Sequence, residues 1–244
     1  EGVVCAPAQL HDAVLETTDE VEVRPVAVDP PLFPALRRTV VEGVADLYPL
    51  IAYNSNVRTN SWTSLQLPLP TSPLNFTWGL LHAVDCSNNT CIAVGRFVDT
   101  SQPTAYGAIE ISTGVRTQWT AQALTPPSGP TGYSTLYGIS CVQNHCIAVG
   151  DSVDAFFGPF PMFTSTNDLG NTWSAITLLS STQAGTLKAI KCSGNTCIAV
   201  GEYLVNSGTA NYPGSAVSID SGNTWSLNPV TPQGFQEGIF NGIT

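Results

Sequence analysis

Short apolar stretches alternate with turn residues along most of this chain, and one apolar stretch recurs three times. Each copy runs Cys-Ile-Ala-Val-Gly and ends at Gly95, Gly150 or Gly201. A run that is apolar at every position is typical of a strand buried on both faces. Gly, Pro, Asn and Asp separate such runs over short distances, so the pattern predicts many short antiparallel strands joined by turns.

A repeat of just over fifty residues organises these strands. Ten-residue copies that open and close on the same letters begin at Cys86, Cys141 and Cys192, spaced by 55 and 51 residues. A tryptophan keeps nearly the same spacing: Trp62, Trp119, Trp173 and Trp225. Turn residues divide each repeat into four strands. Four antiparallel strands in a repeat of this length predict a blade of an all-β fold, the β-propeller.

The repeat divides the chain into a propeller, residues 37–244, and an arm, residues 1–36. Complete blades are predicted at about 80–126, 136–181 and 187–231. Residues 235–244 resemble the first strand of a blade, and residues 37–70 supply the other strands of that blade. A propeller must hide its edge strands, so we expect four four-stranded blades, with the fourth closed by both termini.

The N-terminal arm differs from the repeats because it is rich in proline and holds an unpaired cysteine, Cys5. An extended arm beside a compact ring predicts strand addition to a neighbouring subunit, and therefore self-assembly. The alternative is an arm that wraps over its own propeller. Cys5 is a candidate for an intermolecular bond or for a partner within the chain.

The cysteines of each repeat stand four residues apart, at facing ends of two strands across a tight turn. Facing residues of a hairpin lie near disulfide distance. We therefore expect three disulfides, and the alternative is metal binding by thiolate pairs. The expected pairs are Cys86 with Cys91, Cys141 with Cys146, and Cys192 with Cys197.

Two octets carry a further signature, Thr-Asn-Asp-Leu-Gly-Asn-Thr-Trp at 166–173 and Ser-Ile-Asp-Ser-Gly-Asn-Thr-Trp at 218–225. They resemble the Asp-box, or bacterial neuraminidase repeat, of β-propeller proteins. Residues 112–119 and 55–62 keep the tryptophan but lose the aspartate. The positions that carry the resemblance are Asp168, Gly170, Trp173, Asp220, Gly222 and Trp225.

The chemistry of the octet is that of a turn. Its aspartate can accept hydrogen bonds from N–H groups of its own turn, and its glycine supplies a positive φ. The tryptophan buries a large apolar surface against the hairpin. We therefore interpret Asp168 and Asp220 as turn formers rather than catalytic carboxylates.

Charge excludes two classes of partner. The 244 residues hold 18 Asp and Glu against 8 Lys and Arg, a net charge of −10. This surface repels nucleic acid and anionic bilayers. Apolar runs are shorter than the roughly 20 residues of a membrane helix, so the chain is not expected to span a membrane. Paired cysteines and a Glu-Gly start favour a secreted, extracellular or cell-surface chain from which a leader was removed.

The Asp-box resemblance implies comparison with sialidases, which use an arginine cluster, a tyrosine nucleophile and acidic partners. Most of the six arginines precede the first full repeat, so we assign no catalytic residue. A general glycosidase needs two carboxylates about 5–10 Å apart. The candidates are Asp99, Glu110, Asp151, Asp154 and Glu202. The three histidines are scattered, and we expect neither a metal nor a cofactor.

One set of charged residues recurs with the repeat. Arg96, Asp151 and Glu202 each follow the glycine of the recurring run. Equivalent positions of successive blades point to the same end of the ring, so these residues are candidates for a binding site at the ring mouth. The alternative is a solvated rim of surface ion pairs.

Two functions are compatible with these features. The first is a secreted, non-catalytic propeller that acts as a structural or interaction module and assembles with itself or with another extracellular protein. The second is a glycan-binding or glycan-cleaving, sialidase-like propeller. The absence of a complete catalytic set favours the first, and enzymatic activity is left open.

Overall fold

The chain folds into antiparallel sheets in the computed structural model. The structure describes residues 36–37, 48–53, 63–71, 74–99, 104–114, 118–127, 132–154, 158–180, 182–205, 210–230 and 238–243. All the regular elements in these ranges are β-strands. The described part of the chain is therefore all-β, as predicted.

Each of the three repeats forms four antiparallel strands, here called a repeat sheet. The third repeat sheet stands alone, whereas a single parallel bridge between Ala105 and Tyr133 joins the first two into one eight-stranded sheet. The first repeat sheet contains β4 (Phe76–Ser87), β5 (Thr90–Asp99), β6 (Thr104–Thr113) and β7 (Thr120–Leu124). The second contains β8 (Tyr133–Val142), β9 (His145–Asp154), β10 (Gly158–Thr166) and β11 (Thr177–Leu178). The third contains β12 (Gly185–Ser193), β13 (Thr196–Val205), β14 (Ala210–Ser218) and β15 (Ser226–Pro229).

A smaller sheet precedes them. This N-terminal sheet contains β1 (Leu36–Arg37), β2 (Leu50–Tyr53) and β3 (Thr63–Gln66), in that order. The first strands of successive repeat sheets lie against one another, β4 against β8 and β8 against β12. This is the arrangement of inner strands around a common axis.

Three disulfides pin the first hairpin of each repeat sheet, which confirms the predicted pairing. Cys86 and Cys91 face each other in the register of β4 and β5, with their Cα atoms 4.0 Å apart. The pairs Cys141–Cys146 and Cys192–Cys197 repeat this geometry. Each bridge closes a loop of only a few residues, so its expected entropic contribution is modest, about 2 kcal/mol.

The recurring apolar run packs against a different neighbour on each face. In the first repeat sheet, Ile92 and Val94 face the second repeat sheet, while Cys91 and Ala93 face the N-terminal sheet. Ile147 and Val149 likewise face the third repeat sheet. In β5 and β9 both faces of the strand are covered by other sheets, which explains why every position of the run is apolar there.

Equivalent hydrogen bonds join the first strands of neighbouring repeat sheets. The N–H of Cys141 donates to Asp85 Oδ2 over 2.7 Å, and the N–H of Cys192 donates to Ser140 Oγ over 3.0 Å. Asp85 and Ser140 each precede the first cysteine of their repeat. The same position therefore joins each repeat sheet to the next.

The glycine that ends the recurring run stands opposite a β-bulge. Strand β4 has a register shift between Leu81 and Ala83, β8 has one between Leu136 and Gly138, and β12 has one between Leu187 and Ala189. The residue across from each shift is Gly95, Gly150 or Gly201. A Cβ at Gly150 would stand 1.8 Å from the carbonyl oxygen of Thr135, so only glycine admits this backbone approach.

The two octets form the same hydrogen-bonded turn. Asp168 Oδ1 accepts from the N–H of Thr172 at 2.9 Å, and Asp220 Oδ1 accepts from the N–H of Thr224 at 2.9 Å. Hydrogen bonds lower the pKa of both carboxyls to about 2, the largest contribution coming from the Thr166 hydroxyl for Asp168 and from the Thr224 hydroxyl for Asp220.

Glycine and tryptophan complete these turns. Gly170 and Gly222 have φ values of +92° and +84°, in the region that glycine adopts without strain. Trp225 Nε1 donates to the Gly222 carbonyl at 3.0 Å, and Trp173 packs against the core between the first and second repeat sheets. These contacts are those of a hydrogen-bonded turn.

Several predictions concern residues outside the described ranges. These residues are 1–35 of the arm, among them Cys5, and the octet at 55–62. The closing blade stays a prediction, because the described residues contain no closed ring of sheets. Residues 238–243 form no strand, and the N–H of Phe240 donates to the Gly201 carbonyl at 3.2 Å.

Candidate functional site

The three β-bulges each add one extra residue to a first strand. These residues are His82 on β4, Tyr137 on β8 and Lys188 on β12. A bulged residue leaves the ladder and its side chain is re-aimed, which is why bulges often accompany functional sites. Because the three strands are adjacent, the three side chains meet.

The Tyr137 ring lies at the centre of this meeting point. The His82 ring centroid is 4.7 Å from its own, and Lys188 Nζ lies 4.4 Å from it, in the range of a cation–π contact. Burial raises the pKa of the Tyr137 hydroxyl, and the negative charges of Asp151 and Glu202 act in the same direction. Two carboxylates thus lie within electrostatic reach of one aromatic ring.

Asp151 is the most buried charged residue at this place, with 7% of its surface exposed. Its Oδ2 accepts a hydrogen bond from the Thr186 hydroxyl at 2.9 Å. Burial raises the pKa of Asp151 to about 6, although that hydrogen bond and the charges of Lys188 and Arg96 lower it. The carboxyl therefore gains a proton under mildly acidic conditions.

Glu202 and Arg96 each keep a buried polar atom free of hydrogen bonds to the described residues. Glu202 Oε1 lies 3.8 Å from Lys188 Nζ, but Oε2 has no such partner. The Arg96 guanidinium lies 5.4 Å from the Trp78 ring, and its Nε has none either. Buried polar atoms left in this state cost free energy unless a ligand or water satisfies them.

These residues together are called the bulge cluster: His82, Tyr137, Lys188, Arg96, Asp151 and Glu202. The structure places the three residues predicted at the ring mouth in this one cluster, where Asp151 interacts electrostatically with both Arg96 and Glu202. They are half-buried or buried rather than fully solvated.

Sequence reasoning missed the three bulge residues. They share no chemistry, being an imidazole, a phenol and an amine. Each stands four residues before the first cysteine of its pair and directly after a leucine. That common position, a polar or aromatic residue inside an otherwise apolar strand, was the available signal. Asn241 occupies the same position when 240–244 is aligned with 136–140.

The remaining predicted carboxylates lie apart from this cluster or outside the side chains described. Asp99, at the end of β5, and Glu110, in the middle of β6, are both buried. Burial raises the pKa of Glu110 to about 9, and neither of its oxygens has a hydrogen-bond partner among the described residues. The backbone of Asp154 ends β9.

A shallow groove between the second and third repeat sheets offers a different concave surface, beside His145 and Phe163. Both ring nitrogens of His145 are engaged, Nδ1 with Asn167 Oδ1 at 2.6 Å and Nε2 with the Ser221 carbonyl at 3.0 Å. The imidazole joins the two octet turns, so we interpret this groove as structural. The bulge cluster has the buried charges that the groove lacks.

Within the described ranges, His, Cys, Asp and Glu side chains form no group that could hold a metal ion. Among those residues there is also no helix of the length and apolar character needed to cross a bilayer.

Comparison with known proteins identifies the architecture. No family model and no curated protein matches the chain. The α-L-arabinanase of Penicillium chrysogenum, solved with arabinobiose, matches 81% of this chain and 62% of its own, with a TM-score of 0.54 and 14% identity. Trypanosoma rangeli sialidase, in complex with a difluoro-nononic acid, matches 65% of this chain and 32% of its own, with a TM-score of 0.52 and 11% identity.

The chain has a β-propeller fold. Both solved structures are propellers, and at these identities the likeness concerns the fold alone. The chain spans 62% of the length of one and 32% of the other. In a propeller the first strand of each blade is the inner one. The three bulge residues of the cluster therefore lie on inner strands. Its charged residues Arg96, Asp151 and Glu202 lie on the adjacent second strands, β5, β9 and β13.

Proposed function

We propose that this chain is an extracellular propeller that binds a saccharide at the bulge cluster. The cluster combines aromatic rings with charged groups of both signs. Sites for polar small molecules combine an apolar or aromatic lining with a few well-placed polar groups. The chain thereby fits the glycan-binding hypothesis better than a purely structural module.

The observation that carries the proposal is the meeting of two cations and two carboxylates around the Tyr137 ring. Inner strands with only a structural role are more stable when small or apolar side chains line them, because a buried unsatisfied polar group costs about 1–3 kcal/mol. Three separate bulges, each opposite a glycine, bring His82, Tyr137 and Lys188 together beside these charged groups. Such a costly arrangement is expected where a ligand compensates for it.

The choice of a saccharide has support from the fold and from the chemistry of the cluster. Two propellers of similar fold were solved with arabinobiose and with a nononic acid. Tyr137, His82 and the neighbouring Trp78 supply aromatic rings, which are common in the lining of sites for polar small molecules. Arg96 and Glu202 supply one donor and one acceptor for hydroxyl groups.

Removing the Lys188 charge is expected to weaken saccharide binding at least tenfold. Lys188 contacts both Tyr137 and Glu202, so Lys188→Gln removes the cation that holds the ring and the carboxylate in position. Binding is measured on an array of neutral and acidic oligosaccharides, followed by calorimetry with the best ligand. Lys191→Gln removes an equal charge from the same strand, outside the cluster, and is expected to bind like the unmodified chain.

Two results would refute this proposal. One is the failure of the unmodified chain to bind any saccharide on the array. The other is an equal loss of binding in the Lys188 and Lys191 variants, which would indicate an effect of net charge rather than of the cluster.

The two octet turns and the disulfides support two further inferences, on the type of repeat and on the location of the protein. We infer that the octets at 166–173 and 218–225 are Asp-boxes, because the two turns share their hydrogen bonds atom for atom. We infer secretion from the three disulfides, since such bonds persist in oxidising compartments.

We also propose that a fourth blade closes the ring from the N-terminal sheet and the C-terminal segment. The N-terminal sheet has three strands, one fewer than a blade, and residues 240–244 have the sequence of a first strand. The Phe240 N–H donates to the Gly201 carbonyl, next to where such a strand would lie. Ile198, which corresponds to the fully buried Ile92 and Ile147, is 36% exposed and faces this position.

Ring closure makes a prediction for these three isoleucines. In a closed ring, Ile198→Val should cost about as much stability as Ile92→Val and Ile147→Val, about 1 kcal/mol each, because all three lie between sheets. Chemical denaturation of the three variants measures this. A loss of only a few tenths at Ile198, with the full loss at the other two, would mean that the face of the third repeat sheet is uncovered.

A further inference from the structure

We infer that a groove between the N-terminal sheet and the first repeat sheet binds the proline-rich segment 30–34 of a second copy of this chain. This contact is separate from the proposed saccharide site and gives the N-terminal arm a specific partner. The lining of the groove, the sequence of the segment and the distance between the two within one chain all support it.

The groove lies beside the last strands of two neighbouring sheets, β3 of the N-terminal sheet and β7 of the first repeat sheet. In a propeller the last strand of a blade is the outermost, so a second molecule can reach this place. The groove has a volume of about 480 Å³, and the residues that line it include Tyr48, Gln66, Leu67, Pro68, Gln118 and Trp119.

Burial divides the lining into an apolar base and an exposed rim. Leu67 and Trp119 are buried, with 1% and 8% of their surfaces exposed, and both belong to the core that joins the two sheets. Tyr48 is 42% exposed, and Gln66 and Gln118 are exposed as well. An apolar centre surrounded by an aromatic ring and amides is typical of a surface that binds a partner.

The segment Pro30-Pro31-Leu32-Phe33-Pro34 has the chemistry that fits this groove. Pro-x-x-Pro peptides dock as polyproline II helices in grooves lined by aromatic side chains. Proline has no N–H for a sheet ladder, whereas a polyproline II helix leaves its carbonyls free to accept hydrogen bonds from the amides of Gln66 and Gln118.

Charge also favours this pairing. The lining residues and residues 30–34 are all uncharged, although the chain as a whole carries a net charge of −10. Two copies can therefore meet here without burying a charge, which would cost free energy unless it were paired.

The segment of one chain does not reach the groove of the same chain. Strand β1 begins at Leu36, which pairs with Tyr53 at one end of β2. The N–H of Leu67 donates to the carbonyl of Pro49, beyond the other end of β2. Four residues along the strand and two strand spacings separate Leu36 from Leu67, a distance of about 16 Å. Pro34 is two residues from Leu36 and reaches at most about 7 Å, so a second copy must supply the segment.

The test asks whether two defective chains complement each other. Pro31→Ala/Pro34→Ala alters the segment and keeps the groove, whereas Tyr48→Ala alters the groove and keeps the segment. Sedimentation velocity of the full-length chains measures self-association over a range of concentrations, and Cys5→Ser in every chain excludes oligomers linked by a disulfide. We expect the parent chain to associate head to tail and each variant alone to associate at least tenfold more weakly. An equimolar mixture of the two variants should form a dimer with nearly the parent affinity, because one intact groove meets one intact segment.

Two matched variants serve as controls. Tyr133→Ala removes another exposed tyrosine, at the start of β8, and Pro7→Ala/Pro25→Ala removes two other prolines of the arm. Both are expected to associate like the parent chain, and weakening as strong as in the site variants would refute the assigned contact. A parent chain that stays monomeric, association that neither site variant weakens, or a mixture that fails to recover it would each overturn the inference. These results do not depend on the oligosaccharide array, so the two proposals can fail separately.

Discussion

Gly150→Ala is expected to destabilise the propeller by about 4 kcal/mol or to prevent its folding. The added Cβ would lie 1.8 Å from the carbonyl oxygen of Thr135 and 2.9 Å from the Leu136 Cα. Both neighbours are backbone atoms, so no side chain can rotate away to relieve the clash. The bulge at Tyr137 must then open or shift along β8. Chemical denaturation measures the loss.

A matched control is available one sheet away. Gly107 is a buried glycine on strand β6, and a Cβ there would meet its nearest neighbour, Leu136 Cδ1, at 3.4 Å. That is an ordinary contact with a side chain, so Gly107→Ala is expected to change stability by less than about 1 kcal/mol. If both variants lose the same stability, the bulge does not require glycine.

Gly150→Ala should also disturb the bulge cluster in any protein that still folds. Any folded Gly150→Ala protein is expected to have lost saccharide binding, because Tyr137 owes its orientation to the bulge. A folded variant that binds normally would separate the cluster from the bulge and would count against the proposed site.

The repeat made the fold predictable, but it concealed the bulges. The spacing of cysteine pairs and tryptophans indicated propeller blades, and the apolar run indicated a strand covered on both faces. The final glycine of that run looked like the end of a strand. In the structure, Gly150 instead faces a register shift, and a shift of one residue moves a side chain to the other face of a strand. A register shift depends on the partner strand, which sequence periodicity does not report.

The candidate site was partly predictable for the same reason. Arg96, Asp151 and Glu202 follow a recurring glycine, so their common location could be inferred from the repeat alone. The identity of their neighbours could not, since Tyr137 and Lys188 lie on different repeats and meet only through the contact of β8 with β12. The contact between Lys188 and the Tyr137 ring therefore depends on tertiary structure, which the repeat alone does not predict.

Glu110 shows where alternation misleads. It stands in Ala-Ile-Glu-Ile, where a polar residue between two apolar ones normally points to solvent. Both faces of β6 are covered, however, by the second repeat sheet on one side and by the N-terminal sheet on the other. The carboxyl is therefore fully buried, with 0% of its surface exposed.

This burial predicts that the propeller loses stability as the pH rises from about 7 to about 9, and that Glu110→Gln removes most of the loss. Burial raises the pKa of Glu110 from an ordinary value of 4.5 to about 9 in the folded protein. Between these values the folded chain holds a proton that the unfolded chain releases, so stability falls with rising pH. The full shift corresponds to at most on the order of 6 kcal/mol. Thermal or chemical denaturation across this pH range measures the slope.

The upper part of the range isolates Glu110 from other carboxyls. Burial also raises the pKa of Asp151, but only to about 6, so its contribution is complete before neutral pH. A single released proton gives a slope of about 1.4 kcal/mol per pH unit, which identifies one titrating group. Glu110→Gln keeps the size and shape of the side chain, and it is expected to be more stable than the unmodified chain at about pH 9. Glu110→Asp keeps a titrating carboxyl and should retain the slope.

A stability that does not fall with rising pH would indicate that Glu110 forms an ion pair. If stability stays level between about pH 7 and pH 9, and Glu110→Gln is less stable throughout, the carboxylate is ionised in the folded protein. A buried carboxylate in that state requires a cationic partner. No hydrogen-bond partner for either Glu110 oxygen exists among the described residues, so the partner would then come from the rest of the chain. The sign of this one slope therefore distinguishes a protonated buried acid from a charged one that a basic residue neutralises.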